Sequence, residues 1–200
     1  MPVLVCDSSE AQALIKHRQE TGGDRYDEVW DEVYVMSPLA NPEHQHIIAQ
    51  LVSILMVVVD DVGLGRVYLG ANVTDRTDNW EKNYRCPDVV VVLKESEARC
   101  SDIGPALLGG PDFLIEVRSP DDKTFEKLDF YASIGVRELL IIDRDTKAIR
   151  SYQLQAGRLI EMSAKDGCFI SHVVNLSFRP QPGGKIAIKT INGLERHWQI

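Results

Sequence analysis

Three short apolar runs constrain the fold of this 200-residue chain more than any other feature. They are DVVVVL (88–93), DFLIEV (112–117) and RELLIID (137–143). Nearly continuous apolar runs of this length are typical of central β-strands that are covered on both faces. The sequence therefore predicts a buried sheet in the middle of the fold.

The segment between the second and third runs predicts a crossover helix over 120–134. Ser119 and Pro120 suit its N-cap and its first position, and Gly135 suits its end. Apolar residues recur in this segment at helical spacing, which indicates a helix with one buried face.

Weaker patterns place the other elements around this sheet. We expect a helix over 8–20 that opens with an Asp7–Glu10 capping box, a hairpin from RYDEVW and VYVMS, a buried helix over 42–60 with Asn41 as its N-cap, a strand over 66–74, and a β-rich tail over 147–200. The predicted fold class is α/β or α+β, with one mixed central sheet, flanking helices and a β-rich C-terminal part. We expect one domain over 1–200 with its core at about 26–154.

Composition narrows the class of protein. A hydrophobic content of 44% and a charged content of 26% are those of a soluble globular protein. No apolar stretch reaches the roughly 18–20 residues of a membrane span, and no signal-peptide pattern is present, so we expect a cytoplasmic protein without a membrane partner. The net charge of −8 counts against a protein that coats nucleic acid nonspecifically, although a local basic cleft is compatible with it.

Two acidic residues stand at the ends of predicted strands. Asp88 begins the first apolar run and Glu116 lies near the end of the second. If these strands are neighbours, the two carboxylates share one edge of the sheet and can hold Mg²⁺, which proteins bind through one or two carboxylates together with waters and substrate phosphates. Such an ion polarises a phosphate and lowers the pKa of bound water. A nearby lysine would orient that water or offset charge on the phosphate.

Five segments, in order, resemble the Uma-two family of restriction-endonuclease-like proteins, a branch of the PD-(D/E)XK nuclease superfamily. They are YDEVWDEVYVMSP with NPEHQ, CPDVVVV, FLIEVRSP, EKLDFYASIGVRELLIID, and the strand that follows. Together they span 26 to about 154, which is most of the chain. The resemblance implies a restriction-endonuclease-like fold, a phosphodiesterase site that uses Mg²⁺ (or Mn²⁺ as a substitute), and a nucleic-acid substrate.

The resemblance also implies roles for individual residues. Asp88 and Glu116 match the metal-binding acids, and Lys127 matches a lysine carried on the helix after the Glu116 strand. His44 matches a histidine near the start of a long helix, and Asp27 falls where the family usually has glutamate, which makes it a candidate third metal ligand. Without the resemblance, Asp27 is equally well a hairpin acid and His44 a half-exposed polar residue.

The position of the lysine is the departure that most concerns the site. Arg118 stands two residues after Glu116, where many such nucleases carry lysine. Because i and i+2 share a strand face, Arg118 could form an ion pair with Glu116 or contact a phosphate, but its very high pKa makes it a poor base. Lys123 is a rival to Lys127, and Lys127 is almost equally well a solvated surface residue.

The sequence thus predicts a Mg²⁺-dependent DNA endonuclease that acts as a homodimer, since twofold dimers are the commonest assemblies and suit a duplex. Two alternatives stay open. One is a catalytically silent module of the same fold that binds nucleic acid or protein, which the missing lysine and the acidic charge favour. The other is a nuclease that cuts RNA.

Overall fold

The structure is a computed structural model that describes residues 3–5, 9–38, 41–96 and 99–200. Within these residues the helices are α1 (Ser9–Thr21), α2 (Pro42–Leu55) and α3 (Leu128–Ser133). A π-helical turn, Met56–Asp60, continues α2, and 3₁₀ turns occur at Trp80–Lys82, Lys94–Ser96 and Thr124–Lys127. The predicted N-terminal helix is thus confirmed as α1, whereas Asp7 of its predicted capping box lies outside the described residues.

The strands are short and numerous. In chain order they are β1 (Val3–Val5), β2 (Glu28–Trp30), β3 (Val33–Met36), β4 (Gly65–Leu69), β5 (Val73–Thr74), β6 (Tyr84–Arg85), β7 (Val89–Leu93), β8 (Ser101–Asp102), β9 (Leu107–Leu108), β10 (Phe113–Arg118), β11 (Glu138–Asp143), β12 (Ile149–Gln155), β13 (Arg158–Met162), β14 (Phe169–Ser171), β15 (Leu176–Gln181), β16 (Lys185–Thr190) and β17 (His197–Gln199). The predicted hairpin is β2–β3, and the three apolar runs form β7, β10 and β11.

The central sheet has the strand order β13-β12-β11-β10-β7-β4. Strands β10 and β11 are parallel, whereas β10 and β7 are antiparallel. The start of β7 therefore lies beside the end of β10, as the shared-edge hypothesis requires. A second sheet (β1-β3-β2-β6-β5-β9-β8) and a third (β14-β15-β16-β17) flank the central one.

Alternation along the central strands separates two apolar faces. Residues Val89, Phe113 and Ile115 belong to a cluster that also contains α2 and the third sheet. Residues Val90 and Leu114 belong to a second cluster that contains α3. We call these the α2 face and the α3 face. Both are buried, which explains why the central strands are apolar at nearly every position.

Helix α2 follows the predicted pattern closely. The side chain of Asn41 accepts a hydrogen bond from the backbone N–H of His44 at 2.9 Å, and Pro42 occupies the first helical turn. By length and composition the segment Pro42–Asp60 could cross a membrane. In the structure its apolar side, which includes Ile47 and Leu51, packs in the core cluster of the α2 face.

Two predicted elements are wrong in extent. The helix predicted over 120–134 begins only at Leu128, because Asp121 adopts a left-handed φ of 59° and the carboxylate of Asp122 accepts hydrogen bonds from the N–H groups of Ser119 (2.6 Å) and Thr124 (3.0 Å). The capping role predicted for Ser119 thus falls to Asp122, at the start of a 3₁₀ turn.

The strand predicted over 66–74 is divided into β4 and β5, which lie in different sheets. The chain turns between them at Gly70, where φ is +56° and an added Cβ would lie 2.8 Å from the Tyr26 ring. A side chain would be strained in this conformation, so glycine permits the chain to change sheets here.

The β-rich tail is confirmed and has two parts. Strands β12 and β13 extend the central sheet, whereas β14 to β17 form the third sheet. The third sheet packs on the α2 face, where the rings of Phe178 and Phe113 stack with centroids 6.4 Å apart.

Candidate active site

Asp88 and Glu116 meet where the start of β7 lies against the end of β10. Ile115 pairs with Val89, and one further step along this register places Glu116 beside Asp88. The carboxylate of Asp88 accepts a hydrogen bond from the N–H of Val117 at 2.7 Å, which fixes it to β10. The two acids that the sequence singled out therefore share one edge of the sheet.

Glu116 points into the α3 face and is 4% exposed. Its Oε1 atom accepts hydrogen bonds from the Tyr131 hydroxyl at 2.5 Å and from the Lys127 ammonium at 3.1 Å. Burial raises the pKa of Glu116 to about 7, with the neighbouring Asp88 and Glu28 also raising it while Lys127 and Tyr131 lower it. The environment thus makes ionisation of this carboxyl group dependent on nearby positive charge.

Lys127 supplies that charge from the 3₁₀ turn ahead of α3. Its Nζ atom lies 3.1 Å from Oε1 of Glu116 and 2.8 Å from Oε1 of Glu28. Burial alone would lower the pKa of Lys127, but the two glutamates outweigh it and the net shift is upward. The side chain is therefore a fixed cation within the site, and the interpretation of Lys127 as a solvated lysine is wrong.

Glu28 is the site residue that sequence reasoning missed. It lies on β2, is buried, and accepts hydrogen bonds from the N–H of Cys86 at 2.8 Å and from the indole N–H of Trp30 at 2.7 Å. One signal could have found it. Glu28 lies inside the predicted strand, and its i, i+2 relation to Trp30 assigns both to the same face.

The structure does not bring Asp27 to Asp88 and Glu116, so its predicted place among the metal ligands is corrected. The Asp27 carboxylate is bound by the Arg18 guanidinium at 2.6 Å, by the Tyr34 hydroxyl at 2.8 Å and by the N–H of Ser37 at 2.7 Å. Because successive strand residues point to opposite sides, Asp27 faces away when Glu28 faces the site. Its contacts fasten α1 to the β2–β3 hairpin.

His44 approaches the site from the first turn of α2. Its Nε2 atom lies 3.4 Å from Oδ2 of Asp88, and its Nδ1 atom is buried without a hydrogen-bond partner among the residues that the structure describes. Burial lowers the pKa of His44, but contact with Asp88 and the Val117 carbonyl raises it more, so the net shift is upward. His44 can therefore carry positive charge beside Asp88.

The two rivals of Lys127 form ion pairs with other carboxylates. The Arg118 guanidinium is 3.2 Å from Asp143, lies over the Phe125 ring and does not line the cleft. The alternative ion pair between Glu116 and Arg118 is thus not formed, and Glu116 pairs with Lys127 instead. Lys123 lines the cleft, but its ammonium binds Glu126 at 2.7 Å.

These residues line an open cleft whose walls come from β2, β3, α2, β4, the residues just before β7, β10 and the 3₁₀ turn. Across residues 9–38, 41–96 and 99–200, no three His, Cys, Asp or Glu side chains form a ready-made metal cluster. Asp88 and Glu116 nevertheless fit a Mg²⁺ ion, because their Oδ1 and Oε2 atoms accept no hydrogen bond from the described residues and Mg²⁺ needs only one or two carboxylates.

The mixed central sheet and its flanking elements have a counterpart among solved structures. A solved structure described as a "putative nuclease belonging to DUF820", from Anabaena variabilis ATCC 29413, has this fold with a TM-score of 0.58. It is 19% identical, and the match covers 74% of this chain and 83% of that one.

The chain belongs to the Uma2 family, whose model, described as "putative restriction endonuclease", matches residues 10–174. The resemblance drawn from the five segments and the predicted fold class are therefore confirmed. The comparison with curated proteins gave no match.

Proposed function

We propose that this protein is a Mg²⁺-dependent endonuclease that hydrolyses phosphodiester bonds in DNA. The observation that supports it best is the ammonium of Lys127, held 3.1 Å from Glu116 at the edge where Asp88 also lies. Membership of the Uma2 family supports the same class of reaction.

Asp88 and Glu116 would hold the ion through their free oxygens. When bound, Mg²⁺ would polarise the scissile phosphate and lower the pKa of a bound water. Lys127 would act as a charged donor that orients this water or stabilises charge on the phosphate. It would not act as a base, because its raised pKa keeps it protonated. Glu28 and Tyr131 would position the Lys127 and Glu116 side chains through the contacts described above.

The charge of the cleft supports a requirement for a divalent cation. The acids Glu28, Asp88, Glu116 and Asp122 line it, against the lysines Lys123 and Lys127 and the imidazole of His44. A cleft with this excess of carboxylates repels a phosphate backbone unless further positive charge enters. A divalent cation between Asp88 and Glu116 would supply that charge.

The test is nicking of supercoiled plasmid by the purified protein with Mg²⁺ or Mn²⁺, with EDTA and Asp88→Ala as controls. A single-stranded RNA of mixed sequence forms a parallel arm. We expect metal-dependent nicking that Asp88→Ala abolishes. Cleavage of RNA alone would replace DNA as the substrate. Equal, low activity of wild type and Asp88→Ala under all metals and salt concentrations would favour the catalytically silent module.

A further inference from the structure

The third sheet has one face in the core and one face in solvent. On the inner side Phe178, Ile186 and Ile188 are fully buried. On the outer side Arg179 and Lys189 are exposed, as expected from the alternation of side chains along β15 and β16.

The strand register aligns several cations on this outer side. Lys189 of β16 pairs with Ser177 of β15 and with His197 of β17, and Lys185 pairs with Gln181. Arg179 pairs with Ala187, which lies between the two lysines on β16. Cross-strand partners point to the same side of a sheet, so these side chains share one surface. We call Arg179, Lys185, Lys189 and His197 the C-terminal basic face.

This face holds no acidic residue at any outward position of β14 to β17, since the other positions are apolar or neutral. Arg179 contacts the Cys168 thiol at 3.0 Å and Lys185 contacts the Gln199 amide oxygen at 3.3 Å. Within the described residues, the acidic contact of this face is that of His197 with Glu195, in the preceding turn, at 2.9 Å.

Several exposed cations elsewhere in the described chain lie in ion pairs. Lys16, Lys82 and Arg150 each form an ion pair with a glutamate. The difference is visible in the sequence as well. Residues 163–200 carry five Lys and Arg against two Asp and Glu, whereas residues 1–162 carry 17 against 28. Such charge asymmetry in one chain is typical of a segment that meets a polyanion.

We propose that the C-terminal basic face binds the phosphate backbone of double-stranded DNA and contributes affinity rather than chemistry. The inference rests on the proposed function in that it takes DNA as the partner. Charge complementarity carries it: Arg179, Lys185 and Lys189, which have no acidic partner among the described residues, share one sheet face and suit a backbone that bears regularly spaced phosphates. Strands β15 to β17 begin after residue 174, where the family match ends, so this face is a feature of this chain outside the matched segment.

The experiment compares the affinity of the full chain for a short fluorescent duplex by anisotropy, with Ca²⁺ in place of Mg²⁺ to suppress cleavage. The test variant is Arg179→Gln with Lys185→Gln and Lys189→Gln. The matched control is Lys16→Gln with Lys82→Gln and Arg150→Gln, which changes the net charge by the same amount. We expect the affinity of the test variant for the duplex to drop at least about tenfold at low salt. The slope of log K against log salt concentration, which is negative, should become shallower by about 2 to 3. The control variant should keep the wild-type affinity and the wild-type salt slope.

Cleavage by the same variants separates this inference from the proposed function. With Mg²⁺, the test variant should show a raised KM and a kcat within about twofold of wild type, because the face is remote from the carboxylates in sequence and contact. If the protein nicks DNA but the test variant binds as wild type does, this inference is overturned while the nuclease stands. If the protein binds DNA without cutting it and the test variant loses that binding, this inference stands alone. A last measurement compares the binding of wild type and the test variant to vesicles of phosphatidylcholine and phosphatidylserine. If the test variant loses vesicle binding but keeps its affinity for DNA, the inference is overturned in favour of a membrane surface.

Discussion

The ammonium of Lys127 lies 3.1 Å from the Glu116 carboxylate, although the two residues are eleven positions apart and belong to a 3₁₀ turn and a strand. On the strand itself, Arg118 stands two residues after Glu116, but its guanidinium forms an ion pair with Asp143. The lysine at the site is therefore supplied by the segment after the strand.

Replacement of Lys127 should affect both activity and stability. Lys127→Met removes the cation shared by Glu28 and Glu116, which are both buried. Breaking a buried ion pair on one side costs about 3–5 kcal/mol, and loss of a charged donor at the reacting phosphate should lower nicking at least about 100-fold. Plasmid nicking and urea denaturation measure the two effects.

Lys123→Met is the matched control, because Lys123 lines the same cleft but pairs with the exposed Glu126. Its stability should change by less than about 1 kcal/mol. Equal losses of activity in both variants would mean that Lys127 has no special role.

Asp88→Asn should abolish metal binding without unfolding the protein. The asparagine can still accept the hydrogen bond from the Val117 N–H, but it lacks the charge that a hard divalent cation requires. Titration calorimetry with Mg²⁺ measures the affinity, and circular dichroism checks the fold. Asp61→Asn, on the exposed turn after α2, serves as the control. Unchanged Mg²⁺ affinity in Asp88→Asn would remove Asp88 from the site.

Stability and metal binding should respond to pH in opposite directions through Glu116. The pKa of this group is raised from 4.5 to about 7 by burial, so its contribution to stability is complete below about pH 4.5 and is lost as the pH rises through 7. Metal binding needs the ionised carboxylate and should strengthen from about pH 6 to about pH 8. Urea denaturation across this range, compared with Glu116→Gln, measures the first effect, and the variant should lack it. If the stability of wild type and of Glu116→Gln changed with pH in the same way, the pH dependence would not come from Glu116.

Asp27→Asn should cost stability and leave the metal site intact. The substitution leaves Arg18 without its carboxylate partner and should destabilise the protein by about 3 kcal/mol. Mg²⁺ affinity should stay within about twofold of wild type, because Asp27 does not line the cleft. Glu28→Gln provides the contrast, since it should lower nicking by loosening Lys127. A loss of metal binding in Asp27→Asn with unchanged stability would restore Asp27 as a ligand.

The parts of the fold that the sequence predicted well are those in which burial decides every position. The segments Val89–Leu93 and 139–142 are covered on both faces, so their sequences are apolar throughout and hard to mistake. Helix α2 was predicted with its cap because Asn41 and Pro42 act locally.

Local signals failed where they competed with one another. Ser119 and Pro120 are good residues for the start of a helix, but the Asp122 carboxylate instead accepts hydrogen bonds from the N–H groups of Ser119 and Thr124, and the α-helix begins only at Leu128. Which acceptor succeeds depends on the backbone at Asp121 and on the packing of the turn, neither of which is visible in the sequence.

The candidate site was predictable in its acids and its lysine but not in its third carboxylate. Asp27 and Glu28 are adjacent, so the choice between them depends on which face of β2 turns to the cleft, and the i, i+2 relation of Glu28 to Trp30 was the one sequence signal for that face. Their ion-pair partners show which of the two carboxylates faces the site: Arg18 pairs with Asp27, whereas Lys127 pairs with Glu28.

The site also draws its residues from separate segments. Glu28, Asp88 and Glu116 lie on elements that pair or pack only after long stretches of chain have come together. Contacts of this kind form late and slow the folding of a domain. Because Lys127 follows all three carboxylates in the chain, the site can be complete only after the 3₁₀ turn that carries Lys127 has been synthesised and has packed against them.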